Sequence, residues 1–424
     1  MSIPGPHDIT RHALPNGAVV LVRENHNSPS VLVSGSLQVG AYDERPEQAG
    51  LSAFTADALM HGTAHHTFEE IYETLESTGA RVGISGGVHT TGFAAKSLCE
   101  DLPLTLGILS DALRYPTFPP TEIKRLRGEI LTDFEERAHD TRRMASLIFD
   151  ELTYPKTHPY ARSVDGYPET IIPLDRDHLL DFYTHGYGPR GMLVVIVGGV
   201  DTANAIQQVE EILGDWEGTI YEREPLPDIE GITEVRRQTV AIPGKTQSDL
   251  VLGYPGPART DPDYLDAIVC NAILGVFGLM GRLGEKVRDE QGLAYYATSR
   301  VDGGPGPGPW HVIAGVNPAN VERAIESIRE EIRRICEETV DEDELRDNQS
   351  YITGSLPLHL ETNEGVAQAI LTMERYDLGL DYLQRHRALI EEITPERIQA
   401  VAQRWLDPDA YAIAIAGPPA EDLA

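Results

Sequence analysis

Cysteine is scarce in this chain. Three cysteines, Cys99, Cys270 and Cys336, occur among 424 residues, and no two of them have CxxC spacing. This odd and widely spaced set excludes a disulfide framework and a cysteine-based zinc site, and it favours a reducing compartment. Long apolar runs are also missing, since the longest, Met192 to Val200, is too short to span a bilayer. The start, MSIPGPHDIT, lacks the basic and apolar parts of a secretory signal. We therefore expect a soluble, cytoplasmic protein.

Positive charge is in short supply as well. The chain has 35 lysine and arginine residues against 67 aspartate and glutamate residues, which gives a formal net charge of −32. Such a surface repels phosphate backbones and anionic lipid headgroups, so we expect no binding to nucleic acid or to membranes. The excess of acid has two interpretations. It could serve solubility, including adaptation to salty surroundings, or it could form an acidic cavity that selects cationic substrates.

The chain is long enough for two domains, and its halves share one pattern. Its 424 residues are 41% hydrophobic and 24% charged, which is an ordinary globular composition. Residues 122–154 lie over residues 344–376 at a constant offset of 222. Further on the offset becomes 219, so that the apolar strands MLVVIVG and YAIAIAG coincide. We predict two copies of one fold: a domain over 1–218, a linker rich in Pro, Gly and charge over 219–235, and a second domain over 236–424.

Strands and helices do not alternate regularly in the first copy. Strand-like apolar segments occur at 18–22, 31–39, 81–84, 92–97 and 192–197. A capping box formed by Thr67 and Glu70 starts one helix, and Gly79 ends it. A second helix follows two prolines and carries an apolar stripe made of Ile123, Leu126, Ile130 and Phe134. This order predicts an α+β fold, with a mainly antiparallel sheet covered by helices in each domain, rather than a doubly wound nucleotide-binding fold.

One group of histidines and acids has some of the character of a metal site. His61 and His65 are four residues apart, and Glu69 follows. On a single helix this spacing could present a zinc-binding face. Gly62 and the Thr67 cap interrupt any helix there, so we interpret the segment mainly as a polar connection between helices.

Two other patterns carry no chemistry. The stretch GGPGPGP at 303–309 has neither a GxGxxG nor a GK[ST] pattern, so it predicts a hairpin loop rather than a phosphate cradle. No GxSxG elbow is present, which argues against a serine hydrolase.

Arg288 and Tyr295 are the remaining candidates. They lie in VRDEQGLAY, where the spacing predicts a helix that ends at Gly292 and continues into a strand. The structural interpretation is a salt-bridged surface arginine and a half-buried strand tyrosine. The functional one is that both side chains donate hydrogen bonds to a developing oxyanion. Spacing alone leaves both open.

An ordered set of motifs runs through nearly the whole chain. It comprises LPNGAVVLV, VGAYDERPEQAGL, GT at 62–63, YPTFPPTEI, HPYARSVDGYPETI, FYTHGYGPRGMLVVIVGGV and RLGEKVRDEQGLAY. In this order the motifs resemble the pitrilysin/insulinase metallopeptidase family, which includes the subunits of the mitochondrial processing peptidase. The resemblance implies duplicated α+β domains that form half of a clamshell around a peptide.

The resemblance also implies a zinc site whose residues are missing here. Active members of the family carry H-x-x-E-H directly after a G-L-x sequence, with a glutamate on a later helix as the third ligand. In the matching segment Ala53 and Asp57 occupy the histidine positions, Ala56 occupies that of the glutamate base, and Leu126 that of the third ligand. We therefore expect no metal in this chain, because zinc needs three protein ligands.

The Arg and Tyr positions of the family are retained as Arg288 and Tyr295. In two-chain members of the family, one chain holds zinc and the other supplies this pair. The resemblance therefore implies a non-catalytic subunit of a heteromeric zinc peptidase, which acts on unfolded peptides with a homologous partner that carries H-x-x-E-H and the zinc. One alternative is a purely structural or peptide-binding subunit without a role in proteolysis. Another is an active homodimer with a new metal site at His61, His65 and Glu69.

Overall fold

The computed structural model describes residues 3–218, 223–276 and 281–419. The chain packs into two compact units, and neither is continuous in sequence. Unit 1 consists of Met1–Thr132, Ser163–Glu224 and Leu356–Arg385. Unit 2 consists of Asp133–Arg162, Pro225–Ser355 and His386–Ala424.

Each unit is built around one sheet, and the helices are numbered along the whole chain. The strands are β1 (Thr10–Ala13), β2 (Val19–Glu24), β3 (Ser30–Leu37), β4 (Arg81–Gly86), β5 (Thr91–Leu98), β6 (Leu193–Gly198), β7 (Arg236–Ala241), β8 (Ser248–Pro255), β9 (Ala294–Val301), β10 (Pro309–Val316) and β11 (Ala412–Gly417). The helices are α1 (Leu51–Ala58), α2 (Phe68–Thr78), α3 (Leu102–Arg114), α4 (Pro120–Ala138), α5 (Thr141–Thr153), α6 (Pro168–Ile171), α7 (Arg176–Gly186), α8 (Thr202–Leu213), α9 (Tyr264–Gly275), α10 (Val321–Glu337), α11 (Glu342–His359), α12 (Asn363–Arg375), α13 (Tyr382–Glu391) and α14 (Pro395–Trp405). A π-helical segment spans Gly284–Glu290.

The sheets of the two units share a five-strand order, and the sheet of unit 1 has the additional edge strand β1. In unit 1 the strand order is β1-β2-β6-β3-β5-β4, and in unit 2 it is β7-β11-β8-β10-β9. The pair β2 and β6 is parallel, as is the pair β7 and β11, and the other neighbours are antiparallel. The predicted α+β class, with a mainly antiparallel sheet in each of two homologous domains, is confirmed.

The predicted offsets also recur in the element boundaries. Helices α5 and α12 correspond residue for residue at an offset of 222, and β6 and β11 do so at an offset of 219. Helices α7 and α14 follow the same offset of 219. The internal repeat seen in the sequence is therefore a repeat of secondary structure.

Local signals placed α2 correctly. The Thr67 hydroxyl accepts a hydrogen bond from the backbone N–H of Glu70 at 3.2 Å, and the Glu70 carboxylate accepts one from the N–H of Thr67 at 2.8 Å. Gly79 ends the helix with a left-handed φ of 68°. This reciprocal cap satisfies two N–H groups that the first helical turn leaves free.

One helix of each half packs on the sheet formed mainly by the other half. In unit 2, Ala145, Ile148 and Phe149 of α5 pack against β8 and β11, where they meet Val251 and Ala414. In unit 1, α12 packs against β3 and β6 through a matching apolar stripe. The homologous halves and the compact units are therefore different divisions of the chain.

The exchanged helix α12 covers one face of the unit 1 sheet. Leu21 and Val195 point to that face and lie in one apolar cluster with the helix. The alternate residues Val20 and Val194 are also buried, so the opposite face is covered too. No helix within the described residues is both long enough and apolar enough to cross a bilayer.

Candidate functional site

Helix α1 carries the first three positions of the degenerate zinc motif. Its start is fixed by Glu44, a buried carboxylate that accepts hydrogen bonds from the N–H groups of Gly50 at 3.0 Å and Ser52 at 2.9 Å. A negative charge at this position stabilises the positive end of the helix dipole. Gly50 adopts a φ of 92°, a conformation that favours glycine.

Helix α1 packs closely against β4 at the motif positions. Ala53 and Ala56 are both buried. A Cβ atom added to Gly86 of β4 would lie 2.7 Å from Cα of Ala53, so the strand and the helix backbone are almost in contact. Both positions present methyl groups alone, and neither can ligate a metal or act as a base.

Asp57 is the single ionisable residue at the motif positions. It lies at the surface, yet surrounding protein atoms reduce its hydration, and together with the charge of Asp165 they raise its pKa to about 6. Burial also raises the pKa of Tyr72, with Arg125 lowering it and the charges of Asp57 and Glu129 adding to the increase. Asp57 therefore shares its surroundings with polar groups of α2 and α4.

Leu126 occupies α4 as a buried apolar residue, on the same stripe as Ile123 and Phe134. Its assignment as the third ligand position stays a prediction. Two alanines, one leucine and one carboxylate do not fit a zinc ion, which requires three protein ligands. Within residues 3–218, 223–276 and 281–419, no three His, Cys, Asp or Glu side chains are grouped in a way that could hold a metal.

Of the two histidines of the alternative metal site, His65 is engaged elsewhere, whereas the buried Nδ1 of His61 has no hydrogen-bond partner among the described residues. Helix α1 ends at Ala58, so His61 and His65 do not share a helix. Nδ1 of His65 contacts the Asp111 carboxylate, and Nδ1 of His66 lies 3.1 Å from its other oxygen. Burial raises the pKa of Asp111, but hydrogen bonds from Thr63 and the two histidines outweigh it and lower the pKa overall. His61, His65 and Glu69 are not among any ligand group in the described part of the chain.

Arg288 lies near the end of the π-helical segment of unit 2. The N–H of Gly292 donates to the carbonyl of Arg288 at 3.0 Å, and the N–H of Leu293 donates to that of Val287 at 2.9 Å. Gly292 has a φ of 61°, and β9 begins two residues later. The predicted order of helix, Gly292 and strand is confirmed, although the helix is of the π type, which is common at functional sites. The Arg288 guanidinium is partly exposed and lies 3.8 Å from the Asp289 carboxylate.

Tyr295 is the most exposed of the large hydrophobic side chains of the described residues, at 71%. The structural interpretation of Tyr295 as a half-buried strand residue is therefore wrong. In the ladder between β9 and β10, Tyr296 pairs with Gly315 and Ala294 pairs with Val316, which leaves Tyr295 without a partner. Tyr295 is thus the extra residue of a β-bulge, an irregularity that redirects a side chain and is common beside active sites.

Sequence reasoning missed the polar surroundings of Asp57. Arg125 stacks over the ring of Phe68 at 4.4 Å and bonds Glu122 and Glu129 along its own helix. The spacing of these charges, three and four residues apart, was a signal of helical ion pairs. Asp165 has no such local signal, since it reaches Asp57 through the tertiary fold.

Taken together, two repeated α+β units and a helix α1 whose motif positions hold Ala53, Ala56 and Asp57 define a peptidase-like scaffold. Comparison with family models identifies the scaffold. Residues 19–157 match the model of the insulinase family, peptidase family M16, and residues 173–351 match the peptidase M16 inactive domain. The chain belongs to peptidase family M16.

Individual relatives extend the match along the whole chain. An uncharacterized zinc protease of Streptomyces coelicolor is 27% identical over 95% of this chain and 88% of its own length. An uncharacterized zinc protease of Bacillus subtilis is 24% identical over 97% of this chain and 98% of its own. Among solved structures, a peptidase M16 inactive domain from Pseudomonas fluorescens superposes with a TM-score of 0.88 at 23% identity, covering 97% of this chain and 98% of that one. A protease from Helicobacter pylori also gives 0.88, at 18% identity, over 98% and 100% of the two chains. These structures share the fold.

Proposed function

We propose that this chain is the non-catalytic subunit of a heteromeric zinc peptidase and supplies Arg288 and Tyr295 to the active site of a homologous partner that carries H-x-x-E-H. The observation that carries the proposal is the exposure of Tyr295, 71%, in a bulge that follows a tightly hydrogen-bonded turn after Arg288. The motif positions Ala53, Ala56 and Asp57 offer no ligand set, so zinc would belong to the partner.

The chemistry of the pair suits peptide hydrolysis. Attack of water on a peptide carbonyl creates negative charge on oxygen, and fixed N–H and O–H donors stabilise it. Arg288 supplies a permanent positive charge with several donors, and Tyr295 supplies a phenol donor. The partner's metal would activate the water. This chain's contribution is to orient the carbonyl and to stabilise the oxyanion.

The substrate would be an unfolded peptide held between the two subunits. Support for peptide chemistry comes from the relatives, whose names describe them as zinc proteases. The formal net charge of the chain, −32, further suits a substrate that carries basic residues.

The test is a reconstitution with an H-x-x-E-H homologue from the same organism and a fluorogenic peptide. We expect a stable complex, with an interface above roughly 1,000 Å², and activity that neither chain shows alone. Tyr295→Phe should lower kcat on the order of 10²-fold, the scale of removing one oxyanion donor, with KM nearly unchanged. Tyr351→Phe, which alters a tyrosine on α11 of the same unit, is the matched control and should leave kcat unchanged.

The alternative of a structural or peptide-binding subunit predicts a different outcome. In that case the complex forms, but the kcat of Tyr295→Phe equals that of the wild type. Absence of any complex, or partner activity that does not depend on this chain, would contradict the proposal altogether.

A further inference from the structure

A buried carboxylate lies next to the strand that carries Tyr295. Asp249, at the start of β8, is 2% exposed. It accepts hydrogen bonds from the hydroxyl of Tyr296, from Oγ1 of Thr141 at 2.5 Å and from Nε2 of Gln247 at 3.1 Å. A buried carboxylate is stable when several donors surround it in this way. These four residues, which we call the Asp249 network, join the first turn of α5 to the starts of β8 and β9.

The ring of Tyr296 is held as firmly as its hydroxyl. Gly315, its partner on β10, has no side chain, and a Cβ atom there would collide with the ring. The guanidinium of Arg142 lies over the same ring, 5.3 Å from its centre. Burial raises the pKa of Tyr296, and the hydrogen bond to Asp249 raises it further, so the hydroxyl remains a donor at physiological pH.

The bulge makes this anchor important for Tyr295. β9 is an edge strand, and its ladder to β10 skips Tyr295. No ladder pairing therefore fixes the orientation of Tyr295, which depends instead on how its neighbours Ala294 and Tyr296 are held. Ala294 is buried in the core of unit 2, and Tyr296 is tied to Asp249.

We infer that Tyr296 is a positioning residue. Its hydrogen bond to Asp249 holds the bulge in place and so fixes the orientation of the Tyr295 phenol. The inference rests on the proposed function, since it assigns Tyr295 a target in the partner. It extends that function to a residue that touches neither peptide nor metal. It also makes the orientation of Tyr295 depend on Thr141, a member of the Asp249 network that belongs to the first half of the chain.

The test compares Tyr296→Phe with Tyr154→Phe. Tyr154 is a matched control because it is also buried in unit 2 and also donates one hydrogen bond, to the carbonyl of Pro307 at 3.0 Å. Both variants keep the ring and lose one hydrogen bond, so both should fold. In the isolated chain, we expect amide hydrogen exchange over residues 291–298 to accelerate in Tyr296→Phe and to stay at the wild-type rate in Tyr154→Phe.

In the reconstituted complex, Tyr296→Phe should lower kcat about tenfold with KM nearly unchanged, as a displacement of a positioned donor would. Tyr154→Phe should keep the wild-type kcat. Gln247→Ala, which removes a weaker donor from the same network, should change kcat in the same direction by less.

Two failures are distinguishable. If Tyr295→Phe lowers kcat but Tyr296→Phe behaves like Tyr154→Phe in both exchange and turnover, the positioning role is overturned and the proposed function stands. If Tyr295→Phe itself has a normal kcat, the proposed function is overturned, and the inference falls with it.

Discussion

Nδ1 of His311 lies 3.9 Å from Oδ2 of Asp302 and makes no hydrogen bond. Its strand, β10, runs beside the exchanged helix α5, and the His311 ring contacts that of Phe149 with 5.6 Å between centres. Burial lowers the pKa of His311 to about 4, so the ring is neutral at physiological pH and does not balance the charge of Asp302. Arg300 does contact the Asp302 carboxylate. The exchanged helix therefore packs against a buried, neutral histidine that lies beside the half-buried carboxylate of Asp302.

The first prediction concerns Asp150 of α5. Burial, followed by the charges of Asp302 and Glu151, raises the pKa of Asp150 to about 7 from an ordinary value of 3.8. Between these two values the unfolded chain loses a proton that the folded chain keeps, so stability should fall as pH rises from about 4 to 7 and then level off. Asp150→Asn has no carboxyl to titrate, so it removes this fall in stability. The variant should be more stable than the wild type at pH 8 by up to about 4 kcal/mol, and the difference should vanish near pH 4.

Urea unfolding at pH 4, 6 and 8 measures this difference. Glu135→Gln, at an exposed carboxylate of α4, is the control and should give a small effect that does not follow the same curve. A difference between Asp150→Asn and wild type that is constant across pH would show that Asp150 keeps an ordinary pKa in the fold.

The fold was largely predictable because the signals for it are local or repeated. Short apolar segments located β3 and β6, and the Thr67 cap and Gly79 placed α2 to the residue. The offsets of 222 and 219 located equivalent elements because the repeat kept their lengths. The exchange of α5 and α12 was not predictable, since an apolar stripe shows that a helix is buried but not which sheet buries it.

For the candidate site, the sequence offered residues as a prediction but did not give their geometry. The family pattern identifies Arg288 and Tyr295 by spacing, but the π-helical segment and the bulge depend on how β9 pairs with β10. Pairing is a long-range property that the pattern around Tyr295 does not encode. For the same reason the sequence did not reveal the role of Asp249. It lies more than forty residues before Tyr296, and the fold of the sheet brings it within hydrogen-bond distance of the Tyr296 hydroxyl.

The second prediction concerns separate halves. If α5 and α12 complete each other's sheets, a fragment of residues 1–218 lacks α12, and a fragment of residues 225–424 lacks α5. Each would leave an apolar sheet face open to water. We expect each fragment alone to aggregate or to lack a cooperative thermal transition by circular dichroism.

Coexpression of the two fragments should restore a soluble complex with a single transition. The control is the full chain cut at a protease site introduced between residues 225 and 231, which should stay associated and folded. Cooperative folding of either isolated half would mean that the exchanged helices are dispensable to the sheets.

The last prediction concerns metal. Ala53, Ala56 and Leu126 have no donor atoms, and Asp57 supplies one carboxylate, so the wild-type chain should hold no stoichiometric zinc after dialysis against a weak chelator. The double variant Ala53→His with Asp57→His restores two ligands on one helix face and should bind zinc measurably, though more weakly than a three-ligand site. Metal analysis by mass spectrometry and a competition titration provide the measurement. The control is His65→Ala with His66→Ala, which removes the side chains held by Asp111 and should change zinc content in neither background. Suppose instead that each wild-type chain holds one zinc tightly and that this zinc is lost in the control. The metal site would then lie in the His61–Glu69 segment, and the chain would be an enzyme rather than a non-catalytic subunit.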